Sequence, residues 1–321
     1  MFAVSAARID ADDPLAGLEM GECPEPDVAQ GWTTVQVKAA ALNHHDLWTL
    51  RGVGISAERL PIVLGCDAAG YDADGNPVIV HAVISDQEWL GDETEDPQRS
   101  LLSERHDGTF AELVAVPRRN LVPKPEGLSF EEAACLPTAW LTAYRMLFTK
   151  AGLRPGQTVL VQGAGGGVST ALVAVGTVCG LRVWVTSRDE GKRARAVELG
   201  ADEAFPSGAR LPERVDAVME TVGEATWAHS LRALRPGGTL VVSGATSGSA
   251  PSADLSHVFF RQLRVVGSTM GTRQELEQLA RLCAARKIRP VIDTTVPLSE
   301  ARDGFAKLAA GEVFGKIVFT V

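Results

Sequence analysis

Residues Thr158 to Thr170 read TVLVQGAGGGVST. The apolar, largely β-branched run Thr158–Gln162 predicts a buried strand, and the Ala/Val-rich stretch ending near Gly180 predicts a helix. A glycine cluster sits between them. Strand, glycine turn and helix in this order are the setting that a dinucleotide-binding turn requires, although the strict GxGxxG spacing is not met. Glycines allow a tight turn and a close backbone approach to a pyrophosphate, and the helix N-terminus adds partial positive charge. Gly163, Ala164, Gly165, Gly166, Gly167 and Val168 are therefore candidate cofactor contacts. The other reading, an ordinary glycine-rich βα turn, is disfavoured by the pattern on either side.

Downstream, Arg182–Thr186 (RVWVT) predicts a second strand and Asp189–Leu199 a helix stopped by Gly200. Val215–Glu220, a helix to Leu234 and Thr239–Ser243 continue the alternation, and Arg264–Gly267 supplies a last strand. Such alternation predicts a doubly wound parallel sheet. The end of the second strand bears on the choice of nicotinamide cofactor. An NAD site usually carries a carboxylate there, whereas this chain reads Thr186-Ser187-Arg188, followed by Lys192 and Arg193. Ser187, Arg188 and Lys192 are candidates for a 2′-phosphate and point to NADPH; otherwise they are solvated helix-face charges. Asp189 reads as a helix N-cap.

Upstream, Thr33–Lys38 alternates as a half-buried strand does, and Pro61–Gly65, Pro77–Val83 and Phe110–Val116 are further apolar runs bounded by Gly or Pro. The polar segment Gly91–Gly108 reads as a solvated acidic loop. Pro123 and Pro125 mark a connection. A helical stretch follows over Ser129–Lys150, capped by Ser129 with Glu131 and Glu132 and interrupted at Pro137. The tail predicts a helix from Thr272, a strand near Thr294, a helix from Ser299 and a strand over Lys316–Val321.

The 321 residues are 45% hydrophobic and carry a formal net charge of -9. That excludes global disorder and argues against a nucleic-acid groove. Five cysteines, odd in number and with no CxxC pair, predict reduced thiols in a cytoplasmic protein. The start MFAVSAARIDADDP lacks a signal-peptide pattern, and Val168–Val178 is too short and Gly-interrupted to span a bilayer.

With these residues in hand, the chain resembles the medium-chain dehydrogenase/reductase superfamily over nearly its whole length. The resemblance rests on Asn43-His44-His45-Asp46-Leu47, Leu64-Gly65-Cys66-Asp67-Ala68-Ala69-Gly70 and Asp107-Gly108-Thr109-Phe110-Ala111-Glu112. It rests equally on Leu136-Pro137-Thr138-Ala139-Trp140-Leu141-Thr142-Ala143-Tyr144, the 163–168 loop and Leu234-Arg235-Pro236-Gly237-Gly238. Ser169 departs from the pattern, standing where the family usually keeps the last loop glycine. The resemblance implies an α/β architecture: a GroES-like, β-rich catalytic domain over 1–118 and 270–321, and a Rossmann NADP-binding domain over 119–269. It implies an active site between them and a homodimer formed by edge pairing of Rossmann sheets. It adds Thr142, Gly244, Thr246 and Lys316 to the candidate cofactor contacts.

Zinc-dependent members hold a catalytic metal through a Cys in the first of those motifs, a His in the second and a further Cys. The corresponding residues here are Asn43, Cys66 and the neighbourhood of Thr138–Ala139, and no cysteine lies in Gly91–Gly108, where the structural zinc lobe of those relatives would fall. The expectation is that neither metal is kept; the alternative is that His45, Cys66 and Asp67 bind one. Without a Lewis acid, an electron-poor acceptor suits better than a simple alcohol. The implied activity is NADPH-dependent reduction of quinones or α,β-unsaturated carbonyls, as in the zinc-less quinone-reductase and enoyl-reductase branches. Asn43 would donate an amide hydrogen to the substrate oxygen and His45 a proton; Tyr144 is either a further donor or a packing residue. Trp48, Trp140 and Phe259–Phe260 would make the cleft apolar. The rival functions are a zinc alcohol dehydrogenase with rearranged ligands and a non-catalytic NADPH-binding sensor or scaffold.

Overall fold

In the computed structural model, which describes residues 1–321, the chain separates into two units, Met1–Leu141 with Met270–Val321, and Thr142–Thr269. In the first, β1 (Phe2–Ala6) pairs antiparallel with β2 (Leu18–Glu22). The alternating run after Gly31 becomes β3 (Trp32–Ala41), which leads into α1 (His44–Leu50). β4 (Ile62–Val63) lies on the other side of β1. β5 (Asp67–Asp72) and β6 (Pro77–Val80) extend the larger sheet from β3. The apolar run 77–83 is thus broken, since β7 (Val83–Ile84) pairs instead with β8 (Ser100–Leu101). β9 (Leu113–Pro117) pairs with β3, and β10 (Leu121–Pro123) with β6. Phe110 precedes β9 and points inward, fully buried.

The segment 91–108 corrects the expectation of a solvated loop. Thr94, Asp96, Ser100, Leu102 and Ser103 are buried. Its carboxylates close its own turns: Asp92 accepts from the Thr94 amide at 2.9 Å, and Asp96 accepts from the Asp86 and Gln98 amides at 2.6 and 2.7 Å. Acidic side chains that serve as local acceptors look like solvated charge in sequence but permit burial. The helical stretch from Ser129 is also more broken than one proline suggests. Ser129 and Glu132 form a reciprocal capping box on α2 (Phe130–Ala134). A wide π-type turn follows at Leu136–Trp140, where Pro137 has no N–H to give, then α3 (Leu141–Tyr144) and a second wide turn over Arg145–Lys150.

In the second unit, β11 (Thr158–Gln162), α4 (Gly167–Val178), β12 (Arg182–Ser187) and α5 (Glu190–Glu198) follow the predicted alternation. Asp189 caps α5 by accepting from the Lys192 amide at 2.8 Å. β13 (Glu203–Pro206), β14 (Val215–Glu220), α6 (Glu224–Ala233), β15 (Leu234–Val242), α7 (Leu255–Phe260) and β16 (Arg264–Gly267) complete it. All six strands are parallel, in the order β13-β12-β11-β14-β15-β16. This is the dinucleotide-fold order, with β11 and β14 flanking the switch point. β13 was invisible in sequence because a short edge strand with one half-buried aromatic has little periodicity. The core packs Leu160, Trp184, Val218, Leu231 and Leu240.

The chain then returns to the first unit through α8 (Arg273–Arg286), β17 (Ile292–Pro297), α9 (Ala301–Ala309) and β18 (Lys316–Thr320). β18 pairs with β3, extending its sheet, and seats Phe319 5.0 Å from Phe110, edge to face. Burying such aromatic pairs adds about 0.5–1.5 kcal/mol beyond area.

Candidate functional site

The polar centre of the first unit is built where β3 ends, β5 begins and β18 runs alongside. Lys316 is 3% exposed and Asp67 0%. The ammonium donates to the Leu42 carbonyl at 2.7 Å, to Asn43 Oδ1 at 2.5 Å and to Asp67 Oδ2 at 3.2 Å. The Asn43 amide donates to Asp67 Oδ2 at 2.8 Å and to the Ala41 carbonyl at 3.1 Å. Its orientation follows from chemistry, since a flipped amide would set NH₂ against an ammonium and oxygen against a carboxylate. Both amide hydrogens are committed, so the free donor expected of Asn43 is absent in this arrangement. Lys316, expected among the cofactor contacts, spends all three hydrogens inside the cluster. Asp67 Oδ1 has no partner.

α1 carries the adjoining side chains. Asp46 anchors its first turn by accepting from the backbone amides of Asn43 at 2.8 Å and Gly65 at 3.1 Å. Burial, opposed by His45 and the Asn43 amide, lifts its pKa to about 6. His45 lies between two partners, Nδ1 at 3.4 Å from Cys66 Sγ and Nε2 at 3.2 Å from Glu104 Oε1. Burial opposes charge on this ring, but Cys66, Glu104 and Asp46 outweigh it and hold its pKa well above the usual value. The buried Cys66 thiol is itself pushed up by desolvation and donates to the Leu102 carbonyl at 3.2 Å. The Glu104 carboxylate can only accept, so the ring nitrogen facing it, Nε2, carries a hydrogen. His44, not singled out in sequence, is accessible and makes no side-chain hydrogen bond; surrounding bulk, Lys316 and Arg51 lower its pKa.

These donors do not fit a zinc ion. The amide of Asn43 is tied to Asp67, and Thr138, although its buried hydroxyl lacks a partner, is a poor ligand type. His45, Asp46 and Cys66 do bring one ligand atom each within 4.8 Å of one another. Yet both Asp46 oxygens accept backbone amides that hold α1, and His45 and Cys66 alone fall short of the three protein ligands a catalytic zinc takes.

The second unit holds the glycine turn. Gly163 has φ +86°, which glycine adopts without strain. A Cβ on Gly165 would fall 2.8 Å from Lys192 Cδ and 3.3 Å from its Nζ, so the Lys192 side chain lies across the turn. α4 opens at Gly167, and its first-turn amides, having no intrahelical acceptor, remain for an anion. These features fit a dinucleotide. Ser187 closes β12 and accepts from the Asp189 amide, while Arg193 donates to the Ser187 carbonyl at 2.8 Å and is braced away. Arg188 stands exposed beside them. Gly244 abuts the Thr221 carbonyl, and the Thr246 amide donates to it at 3.4 Å, interlocking two loops beyond the strand ends. They rest on Glu220, a fully buried carboxylate that accepts from the Val222 and Gly223 amides, Thr226 and Ser230. The sequence offered no sign of that network. Thr142 and Tyr144 belong to this unit; Thr142 is buried, and the Tyr144 ring packs 5.0 Å from Phe148. Trp140 is core, Trp48 half-buried, and Phe259 and Phe260 are 61% and 79% exposed.

Comparison with known proteins adds family evidence. Residues 29–126 match the alcohol dehydrogenase GroES-like domain, and residues 164–319 match the zinc-binding dehydrogenase domain. The acryloyl-coenzyme A reductase of Metallosphaera sedula is 32% identical over 95% of this chain and 96% of its own. The crystal structure of an NAD-dependent alcohol dehydrogenase superposes with TM-score 0.92 at 35% identity, covering all of both chains. At the level of fold, the 2-octenoyl-CoA carboxylase reductase CinF, in complex with NADP and 2-octenoyl-CoA, matches with TM-score 0.91 and 24% identity over 99% of this chain and 87% of its own.

Proposed function

Because this chain belongs to the medium-chain dehydrogenase/reductase superfamily, we propose that it reduces an α,β-unsaturated carbonyl, an enoyl thioester or enone, by hydride transfer from NADPH without zinc. Quinones are a related, already electrophilic acceptor. The observation that carries this reading is the closed Lys316–Asp67–Asn43 cluster: Asn43, at the family's first ligand position, is engaged in hydrogen bonds of its own. The similarity to an acryloyl-coenzyme A reductase supports the enoyl thioester.

Bound NADPH supplies the hydride. The first-turn amides of α4 would hold its pyrophosphate, and Ser187, Arg188 and Lys192 would meet the 2′-phosphate. Asn43 acts by holding Lys316 and Asp67 in place. His45, its pKa raised, keeps a proton available at neutral pH for the reduced carbonyl compound. The five cysteines, none in a disulfide, suit the cytoplasm; no helix is long and apolar enough to cross a membrane. A homodimer through the β16 edge is supported by Val265, 46% exposed on the outermost strand.

The test is NADPH oxidation by purified enzyme across enoyl-CoA thioesters, enones, quinones and aldehydes. Turnover with enoyl thioesters or enones is expected. A second reading, alcohol oxidation with NAD, is favoured by the 35% identity to an NAD-dependent alcohol dehydrogenase. It wins if only alcohols and aldehydes turn over.

A further inference from the structure

The segment 91–108 does more than fill space. At its end, Ser103 is fully buried with φ +65°, a left-handed conformation that non-glycine residues rarely adopt. The turn is closed by the Ser103 amide donating to the His106 carbonyl at 2.8 Å. It presents Glu104 with its two oxygens divided: Oε2 accepts from the Leu101 amide at 2.8 Å, and Oε1 faces His45 Nε2 at 3.2 Å. A carboxylate can only accept, so the ring nitrogen beside it carries hydrogen. Nδ1 is thereby left as the working nitrogen. Its resting neighbour is Cys66 Sγ at 3.4 Å, and sulfur is only a weak acceptor.

We propose that Glu104 is a positioning residue for the reaction: it fixes the His45 ring so that Nε2–H points at the carboxylate and Nδ1 is the nitrogen that delivers a proton. The inference deepens the reading of His45 as proton donor and rests on it. The step is balanced: Nδ1–H breaks, the proton goes to the substrate after hydride addition, and the ring is left neutral with Nε2–H still bonded to Glu104. Solvent then returns the proton to Nδ1. The groups facing His45 are Cys66 from the start of β5, Glu104 from the 91–108 segment and Asp46 from α1 itself. None of the three is a cation competing for the carboxylate.

The geometry singles out one variant. In Glu104→Gln, a single oxygen must serve two donors. The Leu101 amide is backbone and cannot turn, so the oxygen goes to it and the new NH₂ points at Nε2. That nitrogen must then accept, and the ring's proton moves to Nδ1 in the neutral form, the wrong tautomer for receiving and delivering protons along this line. Glu104→Ala removes the acceptor without imposing a tautomer.

The experiment pairs nitrogen-15 NMR of His45 in the unliganded enzyme with steady-state kinetics on an enone. We expect Nε2 protonated across the titration in wild type and unprotonated in neutral Glu104→Gln. We expect kcat to fall by about 10²-fold in Glu104→Gln, within the range that a positioned general acid contributes. The fall in Glu104→Ala should be smaller, and NADPH affinity should be unchanged in both. A merely structural glutamate predicts the reverse order, because alanine loses both hydrogen bonds. The proposal is overturned if wild-type Nε2 is bare at neutral pH, if alanine is the slower variant, or if Glu104→Gln keeps wild-type kcat. Should no enone or enoyl thioester turn over in wild type, the reading of the substrate fails, while the NMR comparison still decides whether Glu104 sets the ring.

Discussion

Lys316→Met is the perturbation that most directly probes the buried cluster around Asn43, the family's first ligand position. Methionine approximates the lysine stem in volume, so little cavity arises, but three hydrogen bonds vanish and Asp67 is left 0% exposed with no cation. Its Oδ2 keeps only the Asn43 amide, and Oδ1 already has no partner. Removing one member of a buried ion pair costs about 3–5 kcal/mol, mostly from the charge left behind. Lys316→Met should therefore lower unfolding stability by that amount at pH 7. Adding Asp67→Asn removes the stranded charge, leaving a loss on the order of 1–3 kcal/mol for imperfectly satisfied amides. The double variant should therefore be about 2 kcal/mol more stable than Lys316→Met alone. Urea unfolding of the four proteins, followed by tryptophan fluorescence with m-values compared, measures it. If the single variant lies within about 1 kcal/mol of wild type, or the double variant is no better than the single, the cluster is not the electrostatic unit described here.

Four further outcomes follow from the same geometry. One surviving charge-assisted contact from Arg188 or Lys192 should favour NADPH over NADH by about tenfold in dissociation constant at low salt, and Arg188→Ala with Lys192→Ala should narrow the gap; equal constants in wild type refute it. Protein purified without chelator should contain well under one zinc per chain by elemental analysis, and stoichiometric zinc resistant to dialysis contradicts the donor reading. Val265→Lys on the β16 edge should shift sedimentation toward monomer, since a charge on an edge strand opposes pairing. Asp46, lifted from 3.8 to about 6, favours the folded state when protonated. Its contribution is complete below the unfolded value and is lost as pH rises through about 6, so Asp46→Asn should flatten stability across that window.

The Rossmann unit was legible in the chain because its elements are specified by short-range rules. Buried parallel strands read as apolar runs, a glycine turn needs its glycines whatever surrounds it, and Asp189 caps a helix three residues away. The family motifs likewise located Asn43, Asp67 and Cys66. What those residues do was not legible, because it depends on partners far along the chain. Lys316 reaches Asn43 across 273 residues, so its assignment to the cofactor could not be weighed against its engagement with Asp67. The acidic segment read as solvent-facing because composition reports charge, whereas the fold turns Asp92 and Asp96 onto backbone amides and aims Glu104 at His45. His44 and His45 are adjacent and chemically identical in sequence; the helical turn sends one to solvent and the other between a thiol and a carboxylate. Composition and local pattern thus determined the units and the chemistry available. Only the tertiary structure decided which donors remain free, because a hydrogen bond between distant residues leaves no local trace.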